Sequence, residues 1–190
     1  MLKQVSVVTM LILAGCASDS GSSGGGVSGS TRMASAMVNN AALPEPVRVP
    51  AGNRQTMETL GVGEITYECR AKAGAPGQFE WVFVAPVATL EDMEKKPVGK
   101  YYGGPTWEAA DGSKVTGKQV AVAPAMPGNI PLQLVKADPA TGSGAMSGVT
   151  YIQRLETKGG VAPTAMCGAA KAGAKQQVKY EAKYVFYKQG

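Results

Sequence analysis

The chain has 190 residues, 44% of them hydrophobic, with a net charge of +5 and no histidine at all. That length holds one ordinary domain with a remainder. Without histidine, neither a Ser-His-Asp nor a Cys-His nucleophile can be built, and zinc sites of the usual imidazole type are excluded; no motif in the chain leads us to expect a metal site or a cofactor.

The N-terminal stretch MLKQVSVVTMLILAG places Lys3 ahead of an apolar run from Val5 to Leu13. A basic start, a short apolar run and small residues at its end read as a secretory signal over residues 1–15. A spanning helix takes about 20 apolar residues, more than this run supplies. The ending Leu13-Ala14-Gly15-Cys16 resembles the bacterial lipobox. The resemblance implies cleavage before Cys16 and lipidation of its sulfur and its new amine; several acyl chains anchor firmly where one does not. Ala17, in place of an aspartate, implies an outer-membrane lipoprotein, with the membrane as a partner through the N-terminal lipid. The plainer reading is an ordinary cleaved signal followed by a chance cysteine. Residues 16–45 are rich in Ser and Gly and read as a flexible tether spanning roughly 30 Å, with a folded domain at 46–190.

From Pro46 onward, short strand patterns alternate with Gly and Pro breakers. In GEITYECR, Ile65, Tyr67 and Cys69 share one face while Glu64, Thr66 and Glu68 share the other. Such alternation marks a strand with one wet face. QFEWVFVAP places Phe79, Trp81 and Phe83 opposite Val82 and Val84, which predicts burial on both faces. PVATLEDMEKK predicts a brief helical turn, with Thr89 as N-cap and Asp92 three residues on. Asp111-Gly112 predicts a hairpin turn into SKVTGKQVAVAP. IPLQLVKA, GVTYIQRLET and VKYEAKYVFY complete the set, the last with Val178, Tyr180, Ala182, Tyr184 and Phe186 on one face. Strands without helical crossovers predict an all-β fold, a single antiparallel β-sandwich or barrel-like domain with little helix.

Cys16 apart, Cys69 and Cys167 form an even pair in an oxidising compartment, which predicts a disulfide. The alternative is two buried free thiols. A bridge would close a loop of about 100 residues, worth up to roughly 4–5 kcal/mol in the chain-entropy model. Charge is uneven: Lys114 to Gly190 carries ten basic and three acidic residues, against nine and eleven before it. A basic half can face an anionic partner, such as lipid A phosphates or an acidic polymer, or complement the other half within one fold. Nucleic acid is not an expected partner in the cell envelope. The oligomeric state is left open.

VPAGN (Val49–Asn53), YEC (Tyr67–Cys69), YGGPTWEAADGSKVTGK (Tyr102–Lys118), VTYIQRLETKGGVAP (Val149–Pro163) and VKYEAKYVFY follow one another in that order. Together they resemble the domain-of-unknown-function family numbered 3455, over roughly Val47 to Tyr187. The resemblance implies a secreted protein and carries no established activity. The chain departs from the pattern where Tyr101 stands in place of a frequent histidine. It departs again where Ile130-Pro131-Leu132-Gln133 replaces Ile-Pro-Trp-Leu. Some relatives are labelled malate dehydrogenase, but Gly61-Val62-Gly63 lacks the third glycine of a dinucleotide fingerprint and no βαβ unit follows it.

The densest chemistry lies in YYGGPTWEAADGSKVTG, from Tyr101 to Gly117. As a binding site, Tyr101, Tyr102, Trp107 and Glu108 would offer aromatic faces and a polar group beside a rigid Gly-Gly-Pro elbow, suited to a glycan or another envelope component. As a hydrolase acting on envelope glycans, Glu108 and Asp111 would be paired carboxylates. Asp111 also suits the turn for local reasons alone. As a corner of the fold, Trp107 would fill the core and Glu108 would pair with a base such as Arg154. Gly144-Ala145-Met146-Ser147-Gly148 is not a nucleophile elbow. The combined expectation is a lipid-anchored, non-enzymatic module binding an envelope component or secreted partner, with the carboxylate hydrolase as the alternative.

Overall fold

The computed structural model describes residues 37–190. The expected signal segment, the expected lipidation at Cys16 and most of the expected tether lie outside the described residues. Period-two alternation is realised as eight strands: β1 (Asn53–Ala71), β2 (Phe79–Glu91), β3 (Pro97–Tyr102), β4 (Thr106–Ala109), β5 (Lys114–Ala123), β6 (Leu132–Ala137), β7 (Val149–Gly159) and β8 (Lys175–Gln189). Each pairs antiparallel with the next, and β8 returns to β1, so the sheet closes as a barrel rather than packing as a sandwich. The closing seam runs from Asn53 opposite Gln189 to Glu68 opposite Lys175. Closure leaves no unpaired edge to template association.

Between bulges, alternate residues of each strand face inward and fill the barrel, with Ile65, Leu90, Trp107, Ile152, Tyr184 and Phe186 among its contents. The β8 face expected from sequence is the inward one: Tyr180, Ala182, Tyr184 and Phe186 are all buried. Outward positions carry charged pairs such as Lys158–Glu181 and Lys183–Glu156.

Gly61 and Gly63, the fragment that evoked a dinucleotide loop, lie within β1. A Cβ at Gly61 would sit 2.5 Å from the ring of Tyr184. The glycine is there to admit a large aromatic side chain into a narrow barrel.

A second apolar cluster lies on the outer wall, where Leu134, Leu155, Val185 and Tyr187 pack against Val47 and Val49, with Val38 and Leu43 beside them. Its polar centre is Gln153, fully buried. Gln153 donates to the Val47 carbonyl at 2.6 Å and accepts from the Tyr187 hydroxyl at 2.7 Å. Asn40 accepts from the Val49 amide and donates to its carbonyl, both at 2.9 Å. Residues 38–45, which composition assigns to the tether, therefore belong to the folded unit.

Two local expectations are corrected. Thr89 caps no helix: it lies in β2 opposite Lys100. Asp92 instead closes a tight turn, its carboxylate accepting from the amides of Glu94 and Lys96. The alternation of Val87, Ala88, Thr89 and Leu90 between exposed and buried extends the strand past the capping signature. Nor is β2 buried on both faces, since Phe83 is 53% exposed and Val84 37%. A bulge pairs Thr66 with Ala85 and Tyr67 with Phe83, leaving Val84 as the extra residue.

Cys69 and Cys167 are joined by a disulfide, with Cα atoms 5.6 Å apart. The bridge ties the end of β1 to the loop preceding β8. The Cys69 amide donates to the Ala174 carbonyl at 2.9 Å and the Gly173 amide to the Cys69 carbonyl at 2.8 Å.

Candidate functional site

The residues expected to act together in the 101–117 stretch are separated by the barrel wall. Tyr101 pairs with Trp107 across β3 and β4, and Lys100 pairs with Glu108. Successive residues of a strand point to opposite faces, so Tyr101 and Trp107 go inward while Tyr102 and Glu108 go outward. Trp107 is 1% exposed and Tyr101 6%. Their rings stack at 4.7 Å, and each also packs against Tyr184. Trp107 thus fills the core, as the corner reading has it.

Glu108 sits on the outer wall in a row with Lys100 and Lys114 from the flanking strands. It accepts from the Tyr102 hydroxyl at 2.7 Å and pairs with Lys100 at 3.2 Å and Lys114 at 3.3 Å. The Tyr102 hydroxyl, then the two ammonium groups, hold its carboxyl down to about 2. A carboxyl so acidic holds no proton to give near neutral pH. Its partner is not Arg154, which lies on the inward face of β7.

Asp111 serves a different structure. Its carboxylate accepts from the Ser113 hydroxyl at 2.6 Å, the Ser113 amide at 2.9 Å and the Ala145 amide at 2.7 Å. These bonds, led by the Ser113 hydroxyl, lower its pKa. They tie the β4–β5 turn to the loop before β7. Gly144 is required there, because a Cβ would fall 2.3 Å from that carboxylate. Glu108 and Asp111 share no partner and do not form an acid–base pair.

The structure instead assembles a cavity of about 340 Å³ at the disulfide-bearing end of the barrel. Ile65, Tyr67, Phe83, Tyr101 and Val135 supply apolar walls, and the Gly103-Gly104-Pro105 elbow forms part of the rim. Gln119, Gln133 and Arg154 add its polar groups. A mostly apolar concavity with a few convergent polar groups is the usual form of a small-molecule site, and barrel mouths commonly hold one.

Arg154 is placed by register, standing opposite Tyr184 on one side and Gln133 on the other. Its Nε and Nη2 both donate to the Pro131 carbonyl, at 3.2 and 2.9 Å. No carboxylate pairs with it among the described residues. Burial pushes up the phenols of Tyr67, Tyr101, Tyr180 and Tyr184, and the Arg154 charge pulls each partly back. The rim is braced around it: the Tyr67 hydroxyl donates to the Gly160 carbonyl at 2.8 Å, and Thr157 to Ile130 at 2.6 Å. Tyr101 and Gln133 both line this cavity.

Of the expected binding residues, only Tyr101 reaches the cavity. Arg154 was visible in sequence as an arginine two residues from Ile152 and hence on its face of the strand. A charged residue in step with core positions was the available signal.

A family model described as "Protein of unknown function (DUF3455)" matches residues 50–188. No curated protein and no solved structure matches the chain. The matched span runs from just ahead of β1 almost to the end of β8, so it takes in the barrel and the Arg154 cavity together. By that match, the chain belongs to the DUF3455 family of proteins of unknown function.

Proposed function

We propose that this is a lipid-anchored cell-envelope protein whose barrel is a non-enzymatic binding module, with its ligand seat in the Arg154 cavity. One observation carries the reading: an inward-facing arginine without an acidic partner among the described residues, set in an apolar cavity at the barrel mouth. Arg154 is only part-buried, its bonds to the Pro131 carbonyl lie open to solvent, and no carboxylate among the described residues neutralises it. A site left for an incoming partner keeps that charge available. The lipobox at Leu13–Cys16 supplies the anchor, and an envelope component or secreted molecule supplies the ligand.

The test is a thermal-shift screen of the full-length chain against peptidoglycan fragments, lipid A headgroups and simple carboxylates. A ligand at 100 times its dissociation constant adds about 2.7 kcal/mol, which shifts the transition by several degrees at this size. The shift is expected to disappear in Gln119→Trp, which fills the cavity from β5. A shift that survives in a folded Gln119→Trp moves the site elsewhere. For the anchor, Cys16→Ser is expected to leave an unlipidated precursor, and normal processing of that variant removes the lipoprotein reading.

A further inference from the structure

Resting on the cavity reading above, we infer that the seat takes a singly charged carboxylate on a flat apolar body, with the carboxylate against Arg154. Three features of the cavity lead to this ligand class.

The first is charge. Arg154 is the only base among the residues lining the cavity, and no acid is among them. The Pro131 carbonyl takes Nε and one Nη2 hydrogen, which clamps the guanidinium plane. A guanidinium has five N–H donors, so three remain for a ligand. A carboxylate matches that fork with two parallel bonds. A dianionic phosphate would bring a second negative charge that no residue of the cavity answers, at a desolvation cost.

The second is the shortage of other polar partners. Gln133 donates to Gln119 at 2.6 Å, so each amide spends part of its capacity on the other. The Tyr67 hydroxyl is engaged by the Gly160 carbonyl. Tyr67 and Phe83 meet edge to face at 6.2 Å, presenting hydrocarbon to the cavity. Beyond what Arg154 and the two amides leave free, a sugar's hydroxyls would face hydrocarbon, which is unfavourable. An aromatic or alicyclic body would not.

The third is size. The cavity of about 340 Å³ has room for a body of one or two fused rings.

The experiment is isothermal titration of the full-length chain with 2-naphthoate, 2-naphthamide and 2-naphthyl phosphate, which share one ring system. The carboxylate is expected to bind about 10- to 100-fold tighter than the amide, the range a hydrogen bond to a charged group carries. The phosphate is expected to bind more weakly than the carboxylate. Arg154→Gln should erase the acid–amide difference, and Arg154→Lys should keep part of it. Equal affinity for acid and amide overturns the anion inference while leaving a ligand cavity in place. A tighter phosphate overturns the single-charge assignment. Binding of none of the three overturns this inference, and the wider screen with Gln119→Trp then decides the cavity reading separately. If Arg154→Gln does not fold, the acid–amide comparison in the unmodified protein still decides.

Discussion

Tyr101 and Trp107 face each other across β3 and β4, their rings stacked 4.7 Å apart and tilted by 28° inside the barrel. The Gly-Gly-Pro elbow between them turns the chain, with Gly104 at a φ of 84°. A motif that looks like an exposed aromatic platform is thereby a core pair with its elbow on the rim.

Trp107→Ala is expected to cost about 3–5 kcal/mol, the usual range for emptying a large buried aromatic position. Trp107→Phe should cost much less, because it also removes a buried indole N–H that has no partner. Urea denaturation of both variants checks this. A near-native midpoint for the alanine variant would place Trp107 outside the core.

Glu108→Gln should change the acid stability of the protein and leave ligand binding untouched. The folded-state pKa of Glu108 is depressed, from 4.5 to about 2. Its stabilisation is therefore present above 4.5 and is lost as pH falls toward 2. The unmodified protein should lose melting temperature faster than Glu108→Gln between pH 4.5 and pH 2, and the two curves should converge at the acid end. Parallel curves across that window would sink the assignment.

Replacing both Cys69 and Cys167 with serine removes a cross-link between positions 98 residues apart in sequence. The expected loss is up to about 4–5 kcal/mol, read from denaturation midpoints without reductant. The barrel should still form, since β1 and β8 pair along their length independently of the bridge. Loss of the strand signal in circular dichroism would show instead that closure depends on it.

Gly61→Ala places a methyl 2.5 Å from the Tyr184 ring. Overpacking of this kind typically costs about 1–3 kcal/mol. Tyr184→Leu in the same chain should recover part of that loss by withdrawing the ring. A double variant no better than the sum of its parts would mean that the glycine answers to something other than Tyr184.

Much of the fold was legible in the chain. The alternation of Ile65, Tyr67 and Cys69, and of Tyr180, Ala182, Tyr184 and Phe186, names strands and their apolar faces from adjacent residues alone. The even pair Cys69 and Cys167 predicts the bridge that the structure forms, in place of two free thiols. The β2 misreading came from the bulge at Val84, which shifts the phase of the alternation and has no signature in composition. The Thr89–Asp92 cap signature was overridden because Thr89 completes a pairing with β3 that residues 86–96 alone do not reveal.

The site was legible only in part. Tyr101, Tyr102, Trp107 and Glu108 are neighbours in sequence, and adjacency in a strand puts neighbours on opposite sides of the wall. Arg154 meets Tyr101, Gln119 and Pro131 around one cavity although they come from four separate parts of the chain. Local alternation carries the all-β class and the alternating faces, because backbone pleating ties side-chain direction to position within each strand. Closure, the inward parity and the cavity around Arg154 are set by the tertiary structure. Those depend on the register of all eight strands at once, and no local stretch carries that information.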